Sequence, residues 1–540
     1  MRSTMQDVPL SIGSLLRYGT TAYGAGEVST WTGEGARRIS YAELGRRCAR
    51  LAHALRRLGI TGDQRVATFQ WNNQEHLEVY LTAPSMGAVL HALNIRLFPE
   101  QLVYVANHAQ DQVLVVDNSL VPVLAKMLPE LKTVQHVLVV GAADTGPLEG
   151  AGPQIHSYDD LLAAEPDVFD WPDVDERQAA AMCYTSGTTG NPKGVVYSHR
   201  SAYLHSMAVC MGDMLGLSDR DKCLPVVPMF HANAWGLPYA SVLVGASLAM
   251  PDRFLQAEPL ARLIETEKPT VAGAVPTIWN DLLAYSRKDR PDLSSLRVVA
   301  CGGSAVPQAL MEGFDELGVL ILQAWGMTET SPVASVARAP RSTPAEQEMR
   351  YRRTQGRLLG GVAYRLVGPD GSLLPHDGEA VGELEVRGPW VTASYYLDDD
   401  PEKFHEGWLR TGDVGSVTPD GFFAISDRAK DVIKSGGEWI SSVELENQLM
   451  AHPAVLEASV VGVPDEKWGE RPLAAVVLRE GESAEAGELR DFLGERVAKW
   501  QLPERWAFIE AVPKTSVGKF DKKVLRRRYA DGQLEVTALD

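Results

Sequence analysis

The chain has 540 residues, a formal net charge of −18 and a pI near 5.2. A single hydrophobic core does not support a chain of this length, so two or more domains are expected. The acidic balance argues against a nucleic acid or an anionic membrane surface as partner, because both attract a basic face. An anionic ligand would have to be bound by local lysines, arginines and backbone N–H groups.

The start of the chain and its cysteines indicate a cytoplasmic protein. Residues 1–12 include Asp7 and no long apolar core, so a secretory signal is not expected there. The five cysteines are odd in number and lack C-x-x-C spacing, which is typical of reduced, buried thiols and implies no zinc site. They are Cys48, Cys183, Cys210, Cys223 and Cys301.

Short β-branched runs alternate with helical patterns through the first 330 residues, which predicts an α/β fold of stacked parallel or mixed sheets flanked by helices. After one predicted strand, Ser304 is a candidate N-cap of a helix with Pro307 in its first turn. Ligands bind at such strand ends in open α/β sheets. The predicted strands are Arg65–Phe69, Val113–Val116, Val134–Val140, Val298–Cys301 and Val319–Gln323.

A loop rich in glycine and hydroxyl residues follows an apolar run that ends at Cys183. Its sequence is Tyr184-Thr-Ser-Gly-Thr-Thr-Gly-Asn-Pro-Lys-Gly194. Glycines bring N–H groups close to anionic oxygens, hydroxyls add hydrogen bonds, and the lysine supplies a point charge. Pro192 before the lysine and Gly194 after it exclude a Walker A loop. The loop predicts polyphosphate binding, with a flexible turn as the alternative.

The segment from Cys223 to Pro251 contains no Asp, Glu, Lys or Arg and so meets the length criterion for a membrane span. Three prolines within it, Pro225, Pro228 and Pro238, would interrupt a helix repeatedly in hydrocarbon. We therefore expect a buried strand and helix that line an apolar cavity.

The second part of the chain has a different texture. Short strands punctuated by Gly, Pro and Asp predict a β-rich subdomain over about residues 362–429, which completes an N-terminal domain of residues 1–429. Residues 430–540 are expected to form a smaller α+β domain. Its predicted elements are strands near Leu456–Val463 and Pro472–Leu478 and a helix near Glu488–Trp500.

The loop at residues 184–194 resembles, residue for residue, the phosphate loop of the adenylate-forming superfamily of acyl-CoA synthetases, firefly luciferase and nonribosomal peptide adenylation domains. This resemblance implies an enzyme that uses ATP and Mg²⁺ to form an acyl-AMP. It assigns the first threonine of the loop to catalysis and to the metal as well as to ATP. The implied phosphate contacts are Thr185, Ser186, Gly187, Thr188, Thr189 and Lys193.

Gln323-Ala-Trp-Gly-Met-Thr-Glu329 resembles a second motif of the superfamily. There an aromatic ring lies against adenine, a threonine binds the α-phosphate and a catalytic glutamate binds Mg²⁺. Trp325, Thr328 and Glu329 match these positions, with Trp where many members have Tyr. The remaining nucleotide contacts that the resemblance implies are Gly303, Ser304, Ala324, Gly326 and Met327.

Three later stretches also resemble the superfamily. Asp413 ends a ribose-binding element, where an ionised carboxylate accepts hydrogen bonds from a diol. Arg428 matches a further ribose contact, and Lys430 matches the hinge about which the small C-terminal domain moves. Lys519 ends Pro513-Lys-Thr-Ser-Val-Gly-Lys519 and matches a catalytic lysine that bridges the acyl carboxylate and the α-phosphate. Each stretch alone could be a surface turn, but five matches in the family's order are hard to obtain by chance.

Val227-Pro-Met-Phe-His-Ala-Asn-Ala-Trp-Gly236 resembles the substrate channel of bacterial medium- and long-chain fatty acyl-CoA synthetases. His231 matches a histidine over the acyl pocket and is a candidate catalytic residue, while Trp235 matches a tryptophan that gates the tunnel. Val275, Gly302 and Gly326 complete the implied substrate pocket. For the histidine and the tryptophan, ordinary core packing is an equally open interpretation.

The resemblance to that subgroup covers most of the chain and implies coenzyme A as the acceptor. Members of the subgroup often form homodimers, although the residues themselves indicate no oligomeric state. The implied CoA contacts are Lys434, Ser435, Gly436, Gly437, Glu438 and Trp439.

The expected function is therefore an AMP-forming fatty acid:CoA ligase for medium to long chains. The uncharged stretch around residues 223–251 favours an apolar acid and argues against an amino acid substrate. Three alternatives stay open: a CoA ligase for a short thioether or aryl acid, an acyl-AMP module that loads a carrier protein, and a non-catalytic fatty acid binder.

Overall fold

The computed structural model describes residues 1, 3–185, 191–368, 370–429, 431–435, 438–514 and 520–539. Several predicted site residues lie outside this described part, as do the side chains of Glu438 and Trp439. They are Ser186, Gly187, Thr188, Thr189, Lys430, Gly436, Gly437 and Lys519.

The α-helices of the described residues are α1 Ile12–Ala22, α2 Tyr41–Arg57, α3 Gln74–Ser85, α4 Pro99–Ala109, α5 Val121–Leu124, α6 Tyr158–Ala163, α7 His199–Val209, α8 Leu237–Val244, α9 Ala257–Glu267, α10 Pro276–Asp289, α11 Gln308–Glu316, α12 Ala345–Arg352, α13 Ser442–Met450, α14 Ala486–Gly494 and α15 Lys522–Ala530. The strands up to residue 326 are β1 Glu27–Trp31, β2 Ala36–Ser40, β3 Arg65–Phe69, β4 Val89–Ala92, β5 Asp111–Asp117, β6 His136–Val140, β7 Gln154–Ser157, β8 Ala179–Tyr184, β9 Gly194–Ser198, β10 Lys222–Pro225, β11 Ser247–Met250, β12 Val271–Ala274, β13 Val298–Gly302 and β14 Ile321–Gly326. The later strands are β15 Val333–Val336, β16 Gly356–Leu358, β17 Ala363–Val367, β18 Gly382–Arg387, β19 Phe404–His405, β20 Trp408–Val417, β21 Phe422–Arg428, β22 Ile433–Ser435, β23 Glu438–Ile440, β24 Val455–Asp465, β25 Gly469–Leu478, β26 Arg505–Phe508 and β27 Thr537–Ala538.

Two sheets with helices packed around them form the large N-terminal domain. One sheet has the order β7-β6-β5-β3-β4-β8-β9, in which all pairs are parallel except β8–β9. The other has the order β17-β18-β20-β21-β16-β15-β14-β13-β12-β10-β11-β1-β2, with β19 beside β20. Its central strands β11, β10, β12, β13 and β14 run parallel, so their carboxyl ends meet at one edge.

The β-rich segment at residues 362–429 continues this second sheet. Strand β21 pairs with β16, which pairs with β15, and this chain of pairs leads directly to β14. Leu366, Leu384, Val386 and Phe423 pack in the same hydrophobic cluster as the helices near the start of the chain. The segment therefore shares the core of the large domain.

The C-terminal residues form a smaller α+β unit. Its sheet has the order β23-β22-β25-β26-β27, with β24 beside β25, and α13, α14 and α15 pack against it. The hydrophobic clusters of this unit contain residues from 433 onward and none from the large domain. The structure thus has the predicted mixed α/β architecture of a large N-terminal and a small C-terminal domain.

Two local predictions were wrong. Ser304 does not cap α11, because the helix begins only at Gln308 with Pro307 as its N-cap residue, and the Val306 N–H donates to the Gln323 side chain. The helix expected near Glu488–Trp500 ends at Gly494, a poor helix former, and the chain resumes as a 3-10 turn at Lys499–Gln501.

The uncharged segment folds as the strand β10, the helix α8 and the strand β11, and nearly all of its side chains are buried. In the described part of the chain, the helices are all too short or too polar to cross a bilayer.

Candidate active site

Several predicted site residues meet at the carboxyl ends of three adjacent parallel strands. Val275 follows β12, Gly302 ends β13, and Ala324, Trp325 and Gly326 end β14. A Cβ atom added to Gly302 would lie 2.6 Å from the Ala324 carbonyl oxygen, and one on Gly326 would lie 1.8 Å from the Pro332 carbonyl oxygen. Both positions therefore need glycine, because neighbouring backbone occupies the space of a side chain.

The described ends of the predicted phosphate loop are closed by an antiparallel pair of strands. Tyr184 on β8 lies opposite Gly194 on β9. Just inside this pair, the Thr185 N–H donates to the Lys193 carbonyl oxygen at 2.9 Å, and the Lys193 N–H donates to Thr185 Oγ1 at 3.1 Å. Thr185 and Lys193 thus hold the two ends of the loop together.

Trp325, Asp413 and Arg428 form a compact polar group. The Trp325 indole N–H donates to Asp413 Oδ2 at 2.8 Å, and Arg428 Nε lies 2.7 Å from Asp413 Oδ1. Asp413 is buried, yet its Oδ1 has no well-aligned hydrogen-bond donor among the described residues. A buried carboxylate oxygen without a donor is costly, so this atom suits a ligand that brings hydroxyl groups.

The predicted magnesium ligand Glu329 is buried in the 3-10 turn Thr328–Thr330. The Tyr395 hydroxyl donates to its Oε1 at 2.6 Å. The described residues provide no hydrogen bond to its other oxygen, Oε2. The Thr328 carbonyl accepts from the Tyr197 hydroxyl at 2.8 Å, which fixes the start of the turn. A carboxylate oxygen of this kind is a ligand that Mg²⁺ commonly binds.

The sequence analysis missed three residues around the Lys193 ammonium, namely Tyr395, Asp398 and Asp400. Lys193 Nζ lies 2.7 Å from Asp400 and 3.2 Å from Asp398, and 4.8 Å from the centre of the Tyr395 ring. The hydrogen bond that the Lys193 ammonium donates to Asp400 raises the pKa of this lysine. The run Asp398-Asp-Asp400 was a visible signal, but its pairing with a lysine some 200 positions earlier was not.

A further cation, Lys403, was also missed. Burial lowers the pKa of its ammonium, although the nearby carboxylates Glu329 and Asp413 act in the opposite direction. Its Nζ donates to the Thr411 carbonyl at 3.4 Å. Three cationic side chains therefore lie at the described part of the site: Lys193, Lys403 and Arg428.

The predicted acyl segment adopts an unusual backbone. The backbone is left-handed at four consecutive residues, with φ between 43° and 58°, a conformation that residues other than glycine adopt much less often. These residues are Ala232, Asn233, Ala234 and Trp235. Such strain persists only where the surroundings hold it and is often found at functional sites. His231, half-buried, precedes this turn.

Polar contacts from the first sheet and from α3 hold this left-handed turn. Asn72 donates to the Val227 carbonyl at 2.9 Å and accepts from the Met229 N–H at 2.8 Å. The Tyr80 hydroxyl donates to the Met229 carbonyl, and the Cys183 thiol donates to Asn233 Oδ1 at 3.0 Å.

The Trp235 indole is 6% exposed and lies against Gly273 of β12, where an added Cβ would be 3.4 Å from the ring. The indole therefore packs against β12, two residues before Val275. This contact places Trp235 near the carboxyl end of one of the three strands that carry predicted site residues.

The described residues among the predicted CoA contacts lie on strands β22 and β23 of the small domain. Lys434 is exposed on β22, whereas Ser435 is buried and its hydroxyl accepts from Arg471 Nη1 at 3.0 Å. Ser435 thus has a partner within its own sheet.

Two further predicted nucleotide contacts, Gly303 and Ser304, lie in the turn after β13, with Gly303 at φ +88° and Ser304 exposed.

A buried charged cluster joins the two domains. Asp427 on β21 accepts from the Ser442 N–H at 2.6 Å and from the Ser442 hydroxyl. Lys522 of α15 lies 2.9 Å from Glu446 of α13. Burial disfavours the Lys522 ammonium, but Glu446 and Asp427 outweigh it and raise the pKa of this lysine.

Comparison with known proteins gives matches in both domains of the chain. The family model of the AMP-binding enzymes matches residues 20–396, and that of the AMP-binding enzyme C-terminal domain matches residues 444–519. A 3-methylmercaptopropionyl-CoA ligase of Ruegeria lacuscaerulensis is 44% identical over 98% of this chain and 99% of its own length. A long-chain-fatty-acid–CoA ligase of Thermus thermophilus is 44% identical over 98% of this chain and 97% of its own length.

A solved structure of the anthranilate CoA ligase AuaEII with anthranoyl-AMP superposes with a TM-score of 0.87. The two chains are 26% identical, and the match covers 98% of this chain and all of the other.

Proposed function

The chain belongs to the family of AMP-binding enzymes and is an acid–thiol ligase, and from this premise we propose that it joins apolar carboxylic acids, first of all medium- to long-chain fatty acids, to coenzyme A. The observation that carries the proposal is the uncharged, buried segment at residues 223–251, which brings Trp235 against Gly273 of β12, the strand that pairs with β13. An acid with a charged or strongly polar tail would find no partner there.

The proposed reaction has two displacements. In the first, a carboxylate oxygen attacks the α-phosphorus of ATP, and the bond from that phosphorus to the bridging oxygen breaks to release pyrophosphate. In the second, the sulfur of CoA attacks the acyl carbon, and the carbon–oxygen bond to AMP breaks. The thiol proton leaves with the released AMP or with solvent.

The described residues support defined roles in the first step. The Trp325 ring offers a face to adenine, and Asp413 Oδ1, with Arg428 beside it, offers an acceptor to the ribose hydroxyls. Lys193 supplies positive charge to the leaving phosphates. Glu329, through Oε2, and Thr185 would hold Mg²⁺, which when bound neutralises charge on the phosphate oxygens.

Lys519 is proposed to complete the adenylating site by placing its ammonium between the carboxylate and the α-phosphate. Its charge would offset the negative charge that develops on phosphorus, so it stabilises the transition state without transferring a proton. This role rests on the match of residues 513–519 to the family motif, because the lysine itself lies outside the described residues.

A specific observation favours a second candidate, a short thioether acid. The Trp235 indole lies against Gly273 of β12, and a ring that stays there would limit how far an acyl chain can extend past these strand ends. The Ruegeria relative that is 44% identical is named for such an acid. The two candidates differ in whether Trp235 moves when the acid binds.

A series of unbranched acids from about three to about eighteen carbons, with 3-(methylthio)propionate included, separates these candidates. If the tunnel opens, each added methylene that enters it contributes about 0.8 kcal/mol, so kcat/KM should rise about fourfold per carbon until the tunnel is full. If the Trp235 ring keeps its position, kcat/KM should be highest for acids with about four to five carbon or sulfur atoms in the acyl chain and should fall for longer acids.

The variants Trp235→Ala and Trp235→Phe test the gate directly. The alanine variant should move the optimum to longer acids, while the phenylalanine variant, which keeps an aromatic ring, should move it less. Because Trp→Ala in a buried site costs about 3–5 kcal/mol of stability, a melting curve must accompany each assay. Absence of acid-dependent pyrophosphate release over the whole series would reject the proposed function. Release without any use of CoA, but with transfer to a phosphopantetheinyl protein, would favour the carrier-loading alternative.

A further inference from the structure

One segment of the chain touches both the predicted metal ligand and the phosphate-loop lysine. We name residues 392–400 the bridging segment. Its Thr392 N–H donates to the Glu329 carbonyl at 2.8 Å, and its Tyr395 hydroxyl donates to Glu329 Oε1 at 2.6 Å. On the other side, the Tyr396 N–H donates to the Gly194 carbonyl at 2.7 Å. The segment therefore spans from the turn after β14 to the start of β9.

The bridging segment also surrounds the Lys193 ammonium. Asp400 lies 2.7 Å and Asp398 3.2 Å from Nζ, and the Tyr395 ring faces the same nitrogen at 4.8 Å. Two carboxylates and an aromatic face thus occupy the side of Lys193 where a phosphate group would otherwise bind. An oxyanion pair near a lysine resembles phosphate oxygens in charge and in hydrogen-bonding capacity.

We propose that the bridging segment is a positioning device for the triphosphate: Tyr395 sets the orientation of the Glu329 carboxylate, and Asp400, with Asp398, holds Lys193 until the phosphates of ATP displace them. This inference rests on the proposed function, because it uses the phosphate role of Lys193 and the metal role of Glu329.

The chemistry of Tyr395 suits a fixed donor. A carboxylate can rotate about its bond to Cγ, and a donor that binds one oxygen leaves the other directed away from it. A phenol ordinarily keeps its proton near neutral pH, so the Tyr395 hydroxyl can act as the donor to Glu329 Oε1. Tyr395 is 7% exposed and Glu329 6%, so water does not compete for this bond.

The two aspartates differ from Tyr395 because they are accessible. The side chain of Asp398 is 47% exposed, that of Asp400 is 24% exposed and that of Lys193 is 39% exposed. Ion pairs in such surroundings are weak and exchange readily. A triphosphate carries more negative charge than the two carboxylates, so it can displace them without disturbing the buried contact between Tyr395 and Glu329.

The first test compares Tyr395→Phe with Tyr396→Phe, a neighbouring substitution that removes a hydroxyl with no hydrogen bond to Glu329. Calorimetry measures ATP binding as Mg²⁺ is varied, and AMP binding without Mg²⁺. We expect Tyr395→Phe to raise the Mg²⁺ concentration for half-saturation about tenfold, with AMP affinity unchanged. Equal behaviour of the two variants, or an equal loss of AMP affinity, would overturn the role of Tyr395, because a general loosening of the fold affects both ligands.

The second test compares Asp400→Asn with Asp399→Asn, which removes the same charge one residue away from the contact. Since Asp400 competes with phosphate for Lys193, its removal should tighten binding of pyrophosphate by about two- to fivefold, whereas the Asp399 variant should differ little from the unaltered protein. A weaker affinity in Asp400→Asn would show that Asp400 binds the ligand or its metal directly, and would overturn the proposal. An unchanged affinity would do the same.

The proposed function and the positioning device can be rejected separately. If the unaltered protein releases no pyrophosphate with any acid, the proposed function fails, whatever the variants do. If it is active but the two pairs of variants bind Mg²⁺ and pyrophosphate alike, the proposed function stands and the positioning device is rejected.

Discussion

Replacing Trp325 by Phe should destroy most of the protein's ability to recognise the ribose hydroxyls of ATP. The substitution keeps an aromatic face for adenine but removes the indole N–H that donates to Asp413 Oδ2 at 2.8 Å. The carboxylate is 1% exposed, so water cannot replace this donor. Without it, Oδ2 loses its donor and the carboxylate can rotate, so Oδ1 beside Arg428 is no longer held in place for the ribose.

The magnitude follows from the kind of bond involved. A hydrogen bond to a buried charged group contributes about 1.5–3 kcal/mol, so the unfolding free energy should fall by that amount. The same free energy corresponds to a factor of about 10 to 140 in affinity. We therefore expect each hydrogen bond from a ribose hydroxyl to Asp413 to favour ATP over 2′,3′-dideoxy-ATP by up to this factor in the unaltered protein. In Trp325→Phe this preference should shrink to a few-fold, while affinity for the dideoxy nucleotide itself changes little.

Equilibrium binding of the two nucleotides to the two proteins measures this coupling. Trp279→Phe is the matched control, because Trp279 is also fully buried and its indole N–H donates at 3.3 Å to the Ala300 carbonyl, in the core between α10 and β13. The control should lose stability and keep its preference for ATP. If Trp325→Phe retains the full preference, the indole does not orient Asp413 for the ribose, and the reasoning fails.

Three further changes give distinct outcomes. Lys519→Ala should abolish acyl-AMP formation and leave transfer from pre-made acyl-AMP to CoA largely intact; equal loss of both steps would contradict the proposed role. Lys430→Pro should spare adenylation and slow thioester formation if residue 430 is the hinge, and a normal overall rate would remove that assignment. Lys522→Met leaves Glu446 and Asp427 buried without their cation and should cost about 3–5 kcal/mol near pH 8. Burial then holds these carboxyl groups at raised pKa values, so the folded state binds more protons than the unfolded one and stability should recover as the pH falls towards about 4. Denaturation at several pH values measures this, and a loss independent of pH would contradict it.

The sequence predicted the parts of the fold that depend on local patterns. The strand Arg65–Phe69 was predicted with its observed bounds, because its β-branched run ends sharply at polar residues. The loop at residues 184–194 and the strand end at Trp325 were found because glycine, hydroxyl and aromatic residues follow an apolar strand in each case. Ser304 shows the limit: a hydroxyl residue before a helical pattern predicts a cap, but Ser304 lies in the turn after β13 and the helix begins four residues later, at Gln308.

Contacts between distant parts of the chain could not be predicted in this way. The pairing of Lys193 with Asp398 and Asp400 depends on how strands that are far apart in sequence meet, and a surface lysine or an acidic run is more often simply solvated. The left-handed turn at residues 232–235 also left little local signal, because Ala232, Ala234 and Trp235 are residue types that rarely adopt positive φ. Side-chain contacts to this turn come from distant elements, because the Cys183 thiol of β8 and the Tyr80 hydroxyl of α3 both donate to Asn233 Oδ1.

Adjacent residues of β21 serve two different purposes, and this limits how the small domain can move. Arg428 reaches Asp413, whereas Asp427, the residue before it, accepts hydrogen bonds from Ser442 of the small domain. Successive side chains of a strand point to opposite faces, so one residue can face the nucleotide while its neighbour faces the other domain. If the chain turns at residue 430, just beyond this strand, the bonds between Asp427 and Ser442 must break while Arg428 stays at the ribose. The cost of that break, about 1–3 kcal/mol for a buried acceptor left without its donors, would then have to be offset by contacts that the small domain makes only after it has turned.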